Sequence, residues 1–145
     1  MKALIQRVSQ ASVVVEGATV GAIDSGLLVL LGIERGDDFS KADKLLHKLL
    51  NYRIFADDAG KMNCSVQDTH GGVLLVSQFT LAADTGKGLR PSFSSAAEPE
   101  LARTLYDYVV AQLTQRHRPV ATGVFAADMK VHLINDGPVT FLLET

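Results

Sequence analysis

Between Gly71-Gly72 and Ser77 the chain runs Val73-Leu74-Leu75-Val76 without a polar break. An uninterrupted apolar run of this length, bounded by glycines, predicts a strand buried on both faces at the centre of a sheet. It leads straight into the polar segment Ser77-Gln78-Phe79-Thr80. A chain of 145 residues fits one ordinary domain, large enough to bury roughly two-thirds of its unfolded surface.

The other elements are read around that strand. Residues 2–16 are rich in Val and Ile, with Ile5, Val13 and Val15 at odd positions and Leu4, Val8 and Val14 at even ones. This predicts a long strand that bends or is covered on both faces, ending at Gly17. Residues 18–24 and 27–33 continue as strands, separated by the turn signal Asp24-Ser25-Gly26. Ala42, Leu45, Leu46, Leu49 and Leu50 recur at helical spacing, with Asp38 or Ser40 as cap. Tyr52-Arg53-Ile54-Phe55 reads as a short strand and Asp57-Asp58-Ala59-Gly60 as a turn. A long loop from about residue 82 to 97 precedes Glu98-Pro99-Glu100, which opens a second helix with Leu101, Leu105, Tyr108, Val109 and Leu113 facing inward. Strands at about 119–125 and 130–134, a tight turn at Asn135-Asp136-Gly137-Pro138 and a last strand through Leu143 complete the chain. With no repeat or linker, residues 1–145 are expected to form a single α+β domain: a mostly antiparallel, curved or barrel-like sheet with two packed helices.

A formal charge of −2 does not supply the broad basic face that holds nucleic acid by releasing counterions, so DNA is not an expected partner and any RNA contact must be local. Lys87, Arg90 and Lys61 could make it, although isolated loop cations are more often plain solvated surface. No apolar stretch approaches the roughly 18 to 20 residues of a membrane span. The opening Met1-Lys2-Ala3-Leu4-Ile5-Gln6-Arg7 does not read as a signal peptide, and a cytoplasmic location is the expectation. The single cysteine, Cys64, forms no internal disulfide, which agrees with a reducing compartment.

Two segments could carry chemistry. Alternation along an extended Ser77-Gln78-Phe79-Thr80 puts Ser77 and Phe79 on one face, Gln78 and Thr80 on the other. The strand either simply emerges into solvent there, or its hydroxyls, amide and backbone N–H groups orient a carbonyl and stabilise an oxyanion; the pattern alone does not choose. Gly137-Pro138 is either an ordinary trans turn or a cis step that aims neighbouring carbonyl oxygens the same way. His47, His70, His117 and His132 lack zinc-site spacing, Cys64 has no histidine nearby in sequence, and no Gly-x-Ser-x-Gly elbow or P-loop is present. No metal and no cofactor is called for.

The opening Met1-Lys2-Ala3-Leu4-Ile5-Gln6-Arg7-Val8, the segment Val76-Ser77-Gln78-Phe79-Thr80-Leu81-Ala82-Ala83-Asp84-Thr85, the loop Arg90-Pro91-Ser92-Phe93-Ser94 and the terminal Asn135-Asp136-Gly137-Pro138-Val139-Thr140-Phe141 closely resemble the D-aminoacyl-tRNA deacylases, essentially end to end. The resemblance implies an editing hydrolase that cleaves the ester at the 3′ end of D-aminoacyl-tRNA. It implies a catalytic site at Ser77, Gln78, Phe79 and Thr80, and a homodimer in which Gly137-Pro138 of one subunit enters the other's pocket. There it would reject L-amino acids and leave glycyl-tRNA open to hydrolysis. Arg7 would secure that step by bonding its backbone, and the terminal adenosine would sit beside Phe125 and Met129, residues that could equally be core. The vicinal 2′-hydroxyl of the tRNA would assist the water, because no side chain is an obvious base. A noncatalytic aminoacyl-tRNA-binding module and a hydrolase of small esters are the rival readings.

Overall fold

The computed structural model describes residues 1–145 apart from residue 87. Lys87, one of the candidate RNA-contacting cations, therefore lies outside the described residues.

Strand β1 (Lys2–Val15) organises the sheet. Along one edge it pairs antiparallel with β2 (Ala18–Ile23) and β3 (Gly26–Gly32), which share one register: Ala11 faces Ile23 and Val8 faces Gly26. The Asp24-Ser25-Gly26 signal is thus an interruption in one run along β1, not a reversal. The apolar residues at both parities of β1 follow from two cores together with a register shift between Val8 and Gln10. Ala3 and Ile5 pack with the helices, whereas Val8, Ala11 and Val13 join Ile23, Leu28, Leu74 and Val76.

After β3 come α1 (Phe39–Asn51), the small hairpin of β4 (Phe55–Ala56) and β5 (Met62–Cys64), and β6 (Gly72–Ser77). The expected strand at 52–55 begins only at Phe55, and the turn expected at 57–60 closes the hairpin. Strand β6 is buried on both faces, with Val73 and Leu75 in one core and Leu74 and Val76 in the other. It lies parallel to β3, Gly26 opposite Gly72 through Leu31 opposite Ser77, and β7 (Val120–Thr122) lies parallel to it in turn. The sheet is therefore mixed rather than mostly antiparallel at its centre. Parallel neighbours need long crossover connections, and the two helices lie in them: α1 between β3 and β6, α2 (Pro99–Arg116) between β6 and β7. Strand β7 comes back against β2 so closely that a Cβ on Gly21 would stand 2.4 Å from the Thr122 carbonyl oxygen, and the sheet nearly closes into a barrel.

Asp38 caps α1, its Oδ1 accepting from Lys41 N–H at 2.8 Å, and the five expected side chains are buried. In α2 the buried residues are Leu105, Tyr106, Val109 and Leu113. Tyr106 joins the buried stripe, its hydroxyl donating to the Leu75 carbonyl oxygen at 3.1 Å, whereas Leu101, in the first turn, is 39% exposed and Tyr108 is half-buried. Among the described residues no helix is long and apolar enough to cross a membrane.

Strand β8 (Lys130–Glu144) runs along the other edge of β1. It replaces the expected hairpin at 135–138 with a bulge: Thr140 faces Gln6 and Asn135 faces Val8, so Asp136 to Val139 stand opposite Arg7 alone. Strand β1 supplies only Arg7 across this stretch, so β8 has to loop outward to keep its partner. The Gly137-Pro138 bond within the bulge is cis.

Candidate active site

The last ladder bond of β6 runs from Gln78 N–H to the Leu31 carbonyl oxygen at 2.8 Å. Extended backbone ends there, and Phe79–Ala82 curl into a 3-10 turn. That corrects the expected alternation of residues 77–80. The turn seats on the backbone of Gly32, where a Cβ would come within 2.8 Å of Leu81 Cβ and 3.2 Å of the Gln78 carbonyl oxygen. The Gln78 side chain donates from Nε2 to Thr80 Oγ1. Within the turn, Leu81 N–H reaches the Gln78 carbonyl oxygen and Ala83 N–H that of Thr80. The N–H groups of Phe79 and Thr80 have no acceptor among the described residues. Phe79 is 62% exposed, its ring 5.1 Å from that of Phe93.

Beside this turn opens a pocket of about 470 Å³. Leu31, Ile33 and Val76 form its floor, Ala97, Pro99 and Ala102 one wall, Phe125 to Met129 the other, with Ser77, Gln78 and Phe79 at its mouth. A mostly apolar concavity with a few polar groups at one end is the usual form of a small-molecule site. Phe125 is held by the ring of Tyr106, 5.6 Å away, and by the Arg103 guanidinium 5.5 Å from its centroid. Burial pushes the Tyr106 hydroxyl up to about 12, so it is a neutral donor throughout the physiological range. Met129 sits over Gly123, where a Cβ would meet its Sδ at 2.6 Å. Asp128 is the one ionisable side chain among the described lining residues, and Lys130 Nζ engages its carboxylate at 2.9 Å.

Ser77, Gln78, Phe79, Phe125 and Met129 thus share one cavity, with Thr80 bonded at its mouth. Gly137 and Pro138 do not join them in the same chain; they are exposed on the bulge of β8. Arg7 bonds that bulge, Nε to the Asp136 carbonyl oxygen at 2.8 Å, and spends Nη1 on the Ile54 carbonyl oxygen at 2.7 Å. Lys61 and Arg90 are exposed and outside the pocket lining. His117, at the C-terminal end of α2, is buried, with Nε2 2.7 Å from the Gly71 carbonyl oxygen. Among the described residues no His, Cys, Asp and Glu group could hold a metal ion. Sequence reading missed the wall of Ala97, Pro99 and Ala102. Pro99 signalled only a helix start, and the small side chains beside it carried no sign of a cavity.

Comparison with known proteins identifies the family and the fold. The sequence pattern of the family described as D-Tyr-tRNA(Tyr) deacylase matches residues 4–144. A D-aminoacyl-tRNA deacylase of Stutzerimonas stutzeri is 66% identical over 145 residues, covering 100% of both chains. A solved structure described as a c-Myc DNA unwinding element binding protein superposes with a TM-score of 0.96 at 43% identity, over 100% of this chain and 99% of that one. A probable eukaryotic D-amino acid tRNA deacylase shares the fold, with a TM-score of 0.79 at 16% identity over 99% of this chain and 98% of that one. The chain belongs to the D-Tyr-tRNA(Tyr) deacylase family.

Proposed function

We propose that this deacylase acts as a cytoplasmic homodimer on the 3′ end of D-aminoacyl-tRNA, with the terminal adenosine between Phe125 and Met129 and the ester carbonyl at Phe79 and Thr80. The observation that carries the reading is the pair of unpartnered N–H donors of Phe79 and Thr80 at the mouth of an apolar pocket. Donors fixed at that point meet the oxyanion that forms when water attacks the carbonyl. The C–O3′ bond then breaks, the amino acid leaves as its acid, and the ribose oxygen takes up the proton. Water is oriented by the neighbouring 2′-hydroxyl of the tRNA. Two observations support this: Thr80 Oγ1 is already bonded by Gln78, and the ionisable lining residue Asp128 is a largely exposed carboxylate paired with Lys130. Ser77 and Gln78 complete the site as positioning groups.

Chirality is assigned to the Gly137–Pro138 step of the partner subunit, whose backbone would meet the side chain of an L-amino acid at the α-carbon and leave that of a D-amino acid free. Glycine has no side chain to reject, so glycyl-tRNA is also a substrate. Dimerisation through β8 is supported by the exposed Leu133, Ile134, Phe141 and Leu142 that flank the bulge on a strand paired, among the described residues, with β1 alone. Apolar side chains on an open sheet edge call for cover. The net charge of −2 offers little counterion release on duplex DNA, so DNA is not among the partners proposed.

The test is turnover by trace enzyme on matched D-, L- and glycyl-tRNA, together with D-aminoacyl-tRNA ending in 2′-deoxyadenosine. D- and glycyl-tRNA should be cleaved, L-aminoacyl-tRNA spared and the deoxy substrate slowed strongly, while Thr80→Ala keeps substantial activity. Full activity on the deoxy substrate with complete loss in Thr80→Ala would move the chemistry to the protein. Stoichiometric protection without released amino acid would mean a binding module, and cleavage of free amino-acid esters a general esterase.

A further inference from the structure

We infer that Asn135 is a positioning residue for substrate chirality: its side-chain amide closes the neck of the Gly137–Pro138 bulge and so sets how strictly L-aminoacyl-tRNA is refused. This rests on the assignment of chirality to the Gly137–Pro138 step.

The argument begins with the broken ladder. Between Gln6 opposite Thr140 and Val8 opposite Asn135, β1 offers only Arg7 to a longer stretch of β8, so the bulge must find hydrogen-bond partners elsewhere. Arg7 takes the Asp136 carbonyl oxygen from outside. Asn135 works from within: its Oδ1 accepts from Val139 N–H at 2.7 Å, and its Nδ2 donates to Thr140 Oγ1 at 3.0 Å and to the Val139 carbonyl oxygen at 3.3 Å. A primary amide presents the same donor and acceptor as a peptide group, so this side chain stands in for the missing strand. Val139 is 6% exposed, which makes a partner for its N–H obligatory rather than optional.

Both ends of the bulge are thereby fixed, at Asn135 on one side and at Val139 and Thr140 on the other, and Gly137 and Pro138 are exposed between them. A filter that works by collision must hold its colliding atoms to within about 0.5 Å. Loosening the neck lets the step yield to an L side chain. The donors of Phe79 and Thr80 lie on a separate segment and keep their geometry, so hydrolysis of the D substrate suffers less.

The experiment compares kcat/KM for D- and L-aminoacyl-tRNA carrying the same amino acid in the wild type, Asn135→Ala and Asn135→Asp, with dimer content followed by sedimentation. Asn135→Asp retains an acceptor for Val139 N–H and loses the two donated bonds, so it preserves most of the fold if the alanine variant does not. The D-to-L ratio should fall by about tenfold in Asn135→Ala, the order expected for losing bonds to buried groups, and by less in Asn135→Asp. Absolute activity on the L substrate should rise. A ratio unchanged in both variants, with both substrates slowed in proportion, would overturn the inference and leave Asn135 a stabilising residue only. Equal cleavage of D and L substrates by the wild type would instead remove the chirality assignment itself, before any variant is considered.

Discussion

Arg7 and Asp136 stand 129 residues apart in the chain, and Arg7 Nε donates to the Asp136 carbonyl oxygen at 2.8 Å. The same guanidinium gives Nη1 to the Ile54 carbonyl oxygen, so one side chain ties the β8 bulge to the segment before β4. Its side chain is only 16% exposed, which limits competition from water. The fork geometry makes Arg7 a structural tie between the bulge and that segment.

The first prediction follows from that fork. Arg7→Lys keeps the charge but cannot supply two donors in fixed directions. One of the two carbonyl oxygens then loses its partner, at about 1–3 kcal/mol of stability by the usual worth of a charge-assisted bond. The D-to-L ratio of deacylation should drop by about tenfold as the bulge shifts, a change worth about 1.4 kcal/mol in the relative barriers. Denaturant unfolding and turnover together check it; an unchanged ratio in a destabilised variant would separate the tie from function.

Gly137→Ala tests the bulge directly. A Cβ there would lie 2.4 Å from Val139 N and 2.6 Å from Val139 Cγ2, and the buried Val139 cannot move aside freely. The Asn135–Val139 bonds must therefore distort. The variant should remain folded, since Gly137 itself is exposed, yet lose most deacylase activity or its preference for D over L. Wild-type turnover and selectivity in the alanine variant would show that this step does not approach substrate.

These sites were only partly legible in the sequence. The run Val73 to Val76 and the stripe Ala42 to Leu50 announced themselves because burial on two faces, or on one face of a helix, is written within a single segment. The parallel pairing of β3 with β6 was not, because register between distant segments leaves no mark on the periodicity of either. Asp136-Gly137-Pro138 has the composition of a hairpin turn; only the unbroken course of β1 past Arg7 makes it a bulge. Likewise, the 3-10 turn at Phe79 needs the bare backbone of Gly32, far away in sequence, to seat against. Ser77 to Thr80 stood out as a polar segment at the end of a buried strand and took their role from family resemblance, Phe125 and Met129 came from the resemblance alone, and Ala97, Pro99 and Ala102 became lining residues only when α2 was placed.

Tyr106 supplies a pH test of the wall behind Phe125. Burial raises its hydroxyl from 10.0 to about 12. Between those values the folded chain holds a proton that the unfolded chain has released, so stability falls as pH rises through this window and is unaffected by this group below it. Tyr106→Phe abolishes that slope. Its cost at neutral pH should be small, about 0.5–1.5 kcal/mol, because the Leu75 carbonyl oxygen still accepts from Gly123 N–H at 3.0 Å. Denaturant unfolding at about pH 9 and about pH 11 checks the difference; identical pH dependence in wild type and variant would mean that the hydroxyl is not buried.

Gly123→Ala separates binding from chemistry. Gly123 has no positive φ, so its backbone accepts alanine, but the added Cβ would meet Met129 Sδ at 2.6 Å and Val76 at 3.6 Å. The thioether is flexible and the strand is not, so Met129 is the group that gives way. Because Met129 lines the pocket, its displacement narrows or reshapes the place proposed for the terminal adenosine while the turn at Phe79 and Thr80 keeps its seat on Gly32. The expected result is a KM for D-aminoacyl-tRNA raised by about tenfold with kcat nearly unchanged, the pattern of lost uniform binding. Pairing it with Met129→Ala removes the colliding sulfur without recovering KM, since the side chain that packed against the base is then gone. A fall in kcat with KM intact would place Met129 at the reacting ester instead, and an unaltered KM in both variants would take the adenosine out of this pocket.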